Sequence, residues 1–426
     1  MKPKNKFQQQ VFELSKSLPK ITNVQKKWAF EHCIKHYGKR NAKGEITCLE
    51  CAHKWKGSSE LSAAALGAVC PQCATQLEII HTPKRAFHQH AHFCIITTKE
   101  QFQVLRFFII QYKAKANEKA NYFISEIVQR WIAPNGKHAT IARTLSSIYH
   151  YDIWNFNSHL EIRNDKEHHH ISPTCVYPHQ RIIPELKRRG YKGDNGRISH
   201  FNLFRTLLTE NRAETLFKAG QIRMLGYFIG RDFGLIESYW ASIKICIRNN
   251  YYIPDANNWR DYIDLLRFFG KDLHNAKYVC PNNLTAEHDR YVKKKREHQE
   301  RERKAKKRQQ ALEDEPKYHE MKSKFFGIEI TNGTIQVRML ESVEEIMQEG
   351  DTMRHCVFAS DYHLRPDSLI LSACVNGVPV ETVEFSLSKM KVVQCRGLHN
   401  KNTEYHNQIV ELVNKNKRLI KRRMAA

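Results

Sequence analysis

The sequence predicts a multidomain α+β protein with four structural parts: a zinc-ribbon-like segment, a small antiparallel β region, a helical middle domain and a C-terminal α+β domain with an antiparallel sheet. Three observations lead to this prediction. Two Cys-x-x-Cys pairs lie in the first hundred residues, leucines and aromatics recur three and four apart between residues 182 and 289, and β-rich runs alternate with a helical pattern near the end. A chain of 426 residues can fold into several such domains.

The composition indicates a soluble protein that binds a polyanionic partner. Lys and Arg number 69 against 44 Asp and Glu, which leaves a formal charge of +25. No stretch approaches the ~18 apolar residues of a membrane span, and the N-terminus lacks the apolar core of a secretory signal. The 12 cysteines are scattered, and only four have a recognisable spacing. We therefore expect a cytoplasmic protein with one metal site, no disulfide framework and no membrane partner.

The patterns along the chain divide it into six segments. The helical domain among them could dock a protein partner. In the β-rich region, Asn135-Gly136 predicts a hairpin turn. The predicted segments are a basic helical lead-in (1–40), the zinc-ribbon-like segment (41–82), a β-rich region (83–165), a helical domain (166–290), a basic charged helix or linker (291–318) and the α+β domain (319–426).

Two Cys-x-x-Cys pairs predict a four-cysteine zinc site. Cys48 and Cys51 form the first pair, Cys70 and Cys73 the second, and 18 residues separate the pairs. A closed all-cysteine centre leaves no position for water, so the expected Zn²⁺ is structural and not catalytic. The alternatives are four unrelated cysteines, or a redox pair that would leave the other pair without a role.

Two basic segments are candidate contacts for DNA or RNA. Residues 293–308 hold ten Lys or Arg and three Glu with no apolar stripe, and the last helix is also basic. Phosphate contacts of this kind give affinity without reading a sequence. The alternative is that these charges are only solvated helix faces. The candidate residues are Lys293, Lys294, Lys295, Arg296, Lys306, Lys307, Arg308, Lys421, Arg422 and Arg423.

The C-terminal domain is expected to contain five strands and two helices. FFGIEI and TIQVRML predict paired strands around Asn332-Gly333, and LILSACV, VPVETVEFSL and VVQCRG predict three more. Ser342 and Glu345 predict the capping box of a helix that Gly350 closes. A basic helix is expected to end the chain.

Several short motifs of this domain resemble a known family. They are Met353-Arg354-His355-Cys356-Val357, Tyr362, ETVEF at 381–385, and Gln394-Cys395-Arg396-Gly397 with Asn400. Together they resemble the PcfJ-like family of bacterial mobile-element proteins, most clearly over about residues 320–415, and residues 248–281 resemble the region that precedes this domain. The resemblance implies a plasmid or conjugative setting and no particular reaction.

Turn chemistry predicts the strand register. Asn376-Gly377 favours a two-residue type I′ turn, and a three-residue loop over 388–390 is expected next. We expect the resulting polar face to share the side of Leu369 and Leu371. The predicted opposite pairs are Phe385 with Val393, Glu384 with Gln394, Val383 with Cys395 and Thr382 with Arg396.

This register predicts a polar cluster of His355, Glu384, Gln394 and Arg396. An acid on a partly apolar face must pair or meet a ligand, and such clusters occur at active sites. The alternative is a satisfied ion pair between Glu384 and Arg396 that ties two strands together.

Two functions follow from these observations. The first is a nucleic-acid-binding accessory protein of a plasmid or other mobile element, held together by structural zinc. The second is an enzyme that acts on nucleic acid or a nucleotide through the four-residue cluster. The sequence has no P-loop, Gly-x-Ser-x-Gly elbow or paired-His metal helix.

Overall fold

A computed structural model describes residues 2–56, 67–145 and 154–425. The chain divides into two compact units, residues 1–288 and 289–426. The described residues form thirteen α-helices and three sheets, which confirms the predicted α+β class. None of the described helices is long and apolar enough to span a membrane.

The first sheet has the order β3-β2-β1-β5-β4, and the cysteine pairs lie at the end of β2 and in the turn between β4 and β5. Its β1 and β5 pair in parallel, whereas the other neighbours are antiparallel. Thr22 begins the second of two preceding helices with a capping box to Gln25. The elements are α1 (Lys6–Lys16), α2 (Asn23–Cys33), β1 (Tyr37–Arg40), β2 (Glu45–Cys48), β3 (Lys54–Lys56), β4 (Ala68–Val69) and β5 (Gln76–Ile80).

The second sheet has six strands in the order β10-β9-β8-β7-β6-β11. It is antiparallel apart from the β11–β6 pair, and the predicted turn at Asn135-Gly136 joins β8 to β9. Its strands are longer than the apolar segments that predicted them. Polar residues extend the strands at their ends and continue the alternation of buried and exposed side chains. The strands are β6 (Ala86–Lys99), β7 (Phe102–Lys115), β8 (Asn121–Ile132), β9 (His138–Ala142), β10 (Glu161–Arg163) and β11 (Cys175–Val176).

Seven helices follow and build a core from the leucines and aromatics of the predicted pattern. Leu203, Phe204 and Trp259 are fully buried, and the Trp259 indole nitrogen donates to the carbonyl of Val279 at 2.9 Å. The helices are α3 (Pro184–Arg188), α4 (His200–Thr209), α5 (Asn211–Lys218), α6 (Ile222–Ile229), α7 (Trp240–Arg248), α8 (Ala256–Phe268) and α9 (Ala276–Val279).

The long helix α10 (Leu284–Lys322) contains the basic run, and its last turns pack into the C-terminal unit. There Tyr318 is buried and donates to the carbonyl of Leu340. The antiparallel sheet of this unit has the order β12-β13-β14-β15-β16. The remaining elements are β12 (Glu329–Thr331), β13 (Ile335–Met339), α11 (Val343–Met353), β14 (Ser368–Val375), β15 (Val378–Ser386), β16 (Lys391–Gly397), α12 (His406–Lys415) and α13 (Lys417–Ala425). The five predicted strands are confirmed, and two helices end the chain where one was expected.

Helices lie on both faces of this sheet. Glu381 and Cys395 face α12, where the Glu381 carboxylate accepts from His406. Thr382, one residue along β15, faces α11, where it donates to Glu349. Because neighbouring residues of a strand point to opposite faces, α11 and α12 cover opposite sides of the sheet.

Candidate metal centre and polar cavity

Two similar turns present the four cysteines. In the first, the Ala52 N–H donates to the Cys48 carbonyl, and in the second the Ala74 N–H donates to the Cys70 carbonyl. Ala52 and Ala74 both have a positive φ, which folds each turn back tightly after its second cysteine. Each Cys-x-x-Cys therefore directs two thiol groups to one side.

The four sulfur atoms fit a tetrahedral metal ion. They all lie within 4.8 Å of one another, with Cys48 to Cys73 at 3.8 Å and Cys51 to Cys70 at 3.6 Å. Zinc–sulfur bonds of about 2.3 Å give tetrahedron edges of about 3.8 Å. These separations are far longer than the about 2.05 Å of a disulfide. The predicted four-cysteine group is confirmed as a cluster within metal-binding distance.

Glu50, inside the first turn, attaches this cluster to the second sheet. Its carboxylate accepts from the Tyr122 hydroxyl at 2.7 Å and contacts Nδ1 of His36 at 2.9 Å. Burial raises the pKa of Glu50, but the bonds from His36 and Tyr122 outweigh it and lower that pKa overall. Glu50 was not predicted from the sequence, although an acid between two metal-binding cysteines is a visible signal.

A β-bulge decides which side chains of β14 and β15 share a face. The pairing shifts between Ala373 and Cys374, so that Ser372 lies opposite Thr382 and Ile370 opposite Glu384. The prediction that Glu384 shares the face of Leu369 and Leu371 is therefore wrong. An uninterrupted two-residue hairpin would have given that arrangement, and the extra residue reverses it.

A second bulge lies between Glu384 and Phe385 in the β15–β16 pair. The pairs Glu384 with Gln394, Val383 with Cys395 and Thr382 with Arg396 are confirmed. The pair of Phe385 with Val393 is wrong, because Phe385 lies opposite Val392 and the loop spans residues 387–390.

The polar face lines a small cavity of about 40 Å³. All four residues predicted from the sequence lie in its wall, beside other members of the same short motifs. The lining residues are His355, Cys356, Val357, Tyr362, Ile370, Thr382, Glu384, Gln394, Arg396 and Asn400.

The end of α11 delivers His355 to this cavity. The prediction that Gly350 closes the helix is wrong: α11 continues to Met353 and ends at Arg354, whose φ is +51°. The His355 N–H then donates to the Gly350 carbonyl at 3.1 Å. Gly350 lacks a side chain where the chain folds back, since a Cβ there would lie 3.2 Å from Cγ1 of Val357 and 3.3 Å from the His355 carbonyl.

Glu384 and Arg396 do not pair with each other, so the alternative of a satisfied ion pair between the two strands is wrong. Glu384 accepts from the Ser368 hydroxyl at 2.5 Å and lies 3.8 Å from Arg365. Arg396 donates to the neutral side chain of Asn402 at 2.5 Å. Across the described residues, no carboxylate forms an ion pair with Arg396. Its charge is therefore open to an anion in the cavity.

Glu349 lies beneath the polar face and was missed by the sequence analysis. Only 7% of it is exposed, and its carboxylate accepts from Thr382 at 2.8 Å and from Ser372 at 3.0 Å. Burial is the main cause of a raised pKa at Glu349, and the two hydroxyls only partly oppose it. Thr382 also contacts Nε2 of His355 at 2.9 Å.

Glu381, Cys395 and His406 form a second close group on the opposite face. The fully buried Glu381 accepts from Cys395 at 2.7 Å, from His406 at 2.9 Å and from both the backbone and hydroxyl of Thr403. Each contact has hydrogen-bond length, so these side chains satisfy a buried carboxylate and fasten residues 403–406 to the sheet.

Most of the predicted basic residues are exposed. In α10, Lys295 and Lys307 are half-buried and Lys307 pairs with Asp351 at 2.6 Å. The other candidates have exposed side chains, namely Lys293, Lys294, Arg296, Lys306, Arg308, Lys421, Arg422 and Arg423.

Comparison with known proteins identifies one family. Residues 258–410 match the family model described as PcfJ-like protein. This stretch covers the last helices of the first unit and most of the C-terminal unit, including the whole cavity wall. The chain therefore has a PcfJ-like domain over residues 258–410, as its motifs indicated. No curated protein and no solved structure matches the chain.

Substitution of Gly350 by alanine should displace the cavity wall. The added Cβ meets Val357 and the His355 carbonyl at distances tighter than ordinary contact. We expect a loss of about 1–3 kcal/mol in the free energy of unfolding, measured by urea denaturation, because the contact is an overpacked one. Gly377→Ala is the comparison variant, because an added Cβ there meets no neighbour, although Gly377 has a positive φ. Gly230→Ala, near the end of α6, is not a suitable control, because its Cβ would also approach backbone atoms. A Gly350→Ala protein as stable as the wild type would contradict the role assigned to this glycine.

Proposed function

We propose that this protein binds nucleic acid through exposed basic helices and that zinc organises its N-terminal cysteine turns. The observation that carries the proposal is the basic run of α10, a continuous helix whose lysine and arginine side chains are mostly exposed. Exposed cations at helical spacing suit contacts to successive phosphates. The PcfJ-like domain supports an accessory role in a plasmid or another mobile element, in the cytoplasm.

Zinc is the metal that the cysteine cluster fits best. Four thiolates at tetrahedral separations are typical of structural zinc, and they leave no open coordination position. Cys48, Cys51, Cys70 and Cys73 would hold the ion, which would stabilise the first sheet.

A second candidate function is an enzyme that acts on nucleic acid or a nucleotide in the C-terminal cavity. The observation in its favour is Arg396, a half-buried guanidinium in the cavity wall with a neutral partner. Arginine is well suited to bind phosphate, because its planar guanidinium can donate two hydrogen bonds to one phosphate. His355, Glu384 and Gln394 would supply the other polar contacts.

Neutralising the basic helix should weaken binding to nucleic acid. The variant carries Lys293→Gln, Lys294→Gln, Arg296→Gln and Lys306→Gln, and its affinity for a fluorescent duplex and a single strand is measured by anisotropy over a range of salt. We expect weaker binding at low salt and a shallower salt dependence, by about 0.9 in slope for each lost duplex phosphate contact.

The control removes the same kinds of charge from exposed positions in the helical region, with Lys187→Gln, Lys192→Gln, Lys244→Gln and Arg248→Gln. If both variants lose affinity equally, the helix is not the binding surface. If the wild type binds neither probe at low salt, the proposed function is wrong.

Purified protein should contain stoichiometric zinc, measured by elemental mass spectrometry. Cys48→Ser and Cys70→Ser should each lower the zinc content, because a hydroxyl is a much poorer zinc ligand than a thiolate. Cys356→Ser, at an exposed cysteine outside the cluster, should leave it unchanged. Zinc content that is unaffected by the first two substitutions would contradict the assignment.

Arg396→Gln should weaken the binding of a nucleoside 5′-monophosphate, followed by isothermal titration with adenosine monophosphate. A hydrogen bond to a charged group contributes about 1.5–3 kcal/mol, so a loss of roughly tenfold or more is expected. Arg418→Gln, in exposed α13, is the matched control. Equal affinity of the two variants, or no binding by the wild type, would count against the cavity as a nucleotide site.

A further inference from the structure

Three side chains form a continuous hydrogen-bonded chain from the protein interior to the cavity wall. The chain begins at Glu349 on α11, passes through Thr382 on β15 and ends at Nε2 of His355. The two links measure 2.8 and 2.9 Å. Glu349 and Thr382 are both buried, whereas His355 is only half-buried and lines the cavity.

The chemistry of a hydroxyl fixes the direction of this chain. A threonine hydroxyl has one proton and can also accept. Since Thr382 donates its proton to the Glu349 carboxylate, its oxygen must accept from His355. The proton of the neutral imidazole then lies on Nε2, and Nδ1 retains its lone pair.

The surroundings favour this arrangement. Ser372 donates to the second oxygen of Glu349, so both carboxylate oxygens accept hydrogen bonds, which oppose the effect of burial on the pKa of Glu349. Burial is the main cause of a lowered pKa at His355, which keeps the imidazole neutral at ordinary pH. The ring also contacts the backbone of His355 itself, and this contact opposes the effect of burial on the pKa of His355.

We propose that Glu349 and Thr382 are positioning residues that hold His355 in its Nε2-protonated form, so that Nδ1 accepts a hydrogen bond from a hydroxyl of a phosphate-bearing ligand. This inference rests on the second candidate function, in which Arg396 binds the phosphate. A nucleotide combines a phosphate with sugar hydroxyls and therefore has both groups. A carboxylate that orients a histidine through its remote nitrogen is a general way to prepare the other nitrogen as an acceptor.

The alternative is that Glu349 and Thr382 have a purely structural role. In that case the Thr382 hydroxyl would only fasten the segment after α11 to the sheet, and the position of the imidazole proton would not matter. The test therefore needs a readout of the proton itself.

Nitrogen NMR of the full-length protein, labelled with ¹⁵N-histidine, reports the imidazole tautomer directly. His355→Gln identifies the resonances by their loss. In the wild type we expect the Nε2-protonated form to predominate. In Thr382→Val, which removes the hydroxyl and preserves the shape, and in Glu349→Gln, the Nδ1-protonated share should rise.

Two further variants distinguish the positioning role of Thr382 and Glu349 from a general loss of structure. Thr382→Ser restores a hydroxyl and should restore the wild-type tautomer. Ser372→Ala removes the other donor to Glu349 and leaves the Thr382 hydroxyl in place, so the tautomer should change less than in Thr382→Val. A folded Thr382→Val protein with the wild-type tautomer, or a wild type protonated on Nδ1, would overturn the proposal.

Adding adenosine monophosphate tests the ligand separately. We expect the Nδ1 resonance of His355 to move on binding, with a smaller response in Arg396→Gln. If the nucleotide binds and that resonance does not move, the acceptor role is wrong. If the nucleotide does not bind while the tautomer behaves as expected, the second candidate function fails and the positioning by Glu349 and Thr382 stands.

Discussion

The arrangement of the cavity depends on a one-residue irregularity in the pairing of β14 with β15. Because side chains alternate along a strand, a shift of one residue moves every side chain beyond it to the other face. The bulge at Ala373 and Cys374 places Leu369 and Leu371 in the buried core. It thereby leaves Ser372, Thr382 and Glu384 together on the opposite face.

The apolar side of the sheet enforces this register. Leu369, Leu371, Val383 and Phe385 are each fully buried. Slipping the register would move Glu384 into that core, and burying a charged carboxylate without partners is far more costly than a bulge. The polar side then faces α11, and Gly350 permits the chain to turn back closely enough for His355 to reach Thr382.

Sequence reasoning predicted the parts of both sites that depend on local pattern. The spacing of Cys48, Cys51, Cys70 and Cys73 identified the cysteine cluster, because two knuckles need little beyond their own turns. The four cavity residues were brought together correctly. The pairs opposite Gln394, Cys395 and Arg396 agree with the prediction because two differences cancel: the loop is one residue longer than expected, and the bulge restores the register.

The two β-bulges, and the hydrogen-bond partners that come from distant parts of the sequence, were not predicted. An extra residue in a strand depends on packing on both faces. The first bulge does have a local signal, because Pro379 cannot donate to the strand ladder and a proline inside a sheet is typical of an edge or a bulge. The partner of Glu384 proved to be Ser368, with Arg365 nearby, and not Arg396. Glu349 did leave a signal, since it lies three residues after the buried Ile346 on the inner side of α11, and the other acids of this helix are less buried.

The pairing of β14 with β15 can be measured by cross-strand nuclear Overhauser contacts in the full-length chain. We expect contacts that place Ser372 opposite Thr382 and Ile370 opposite Glu384. Contacts that instead place Ser372 opposite Glu381, as an unbulged hairpin requires, would contradict this register, because Glu384 and Thr382 would then share a face with Leu369 and Leu371.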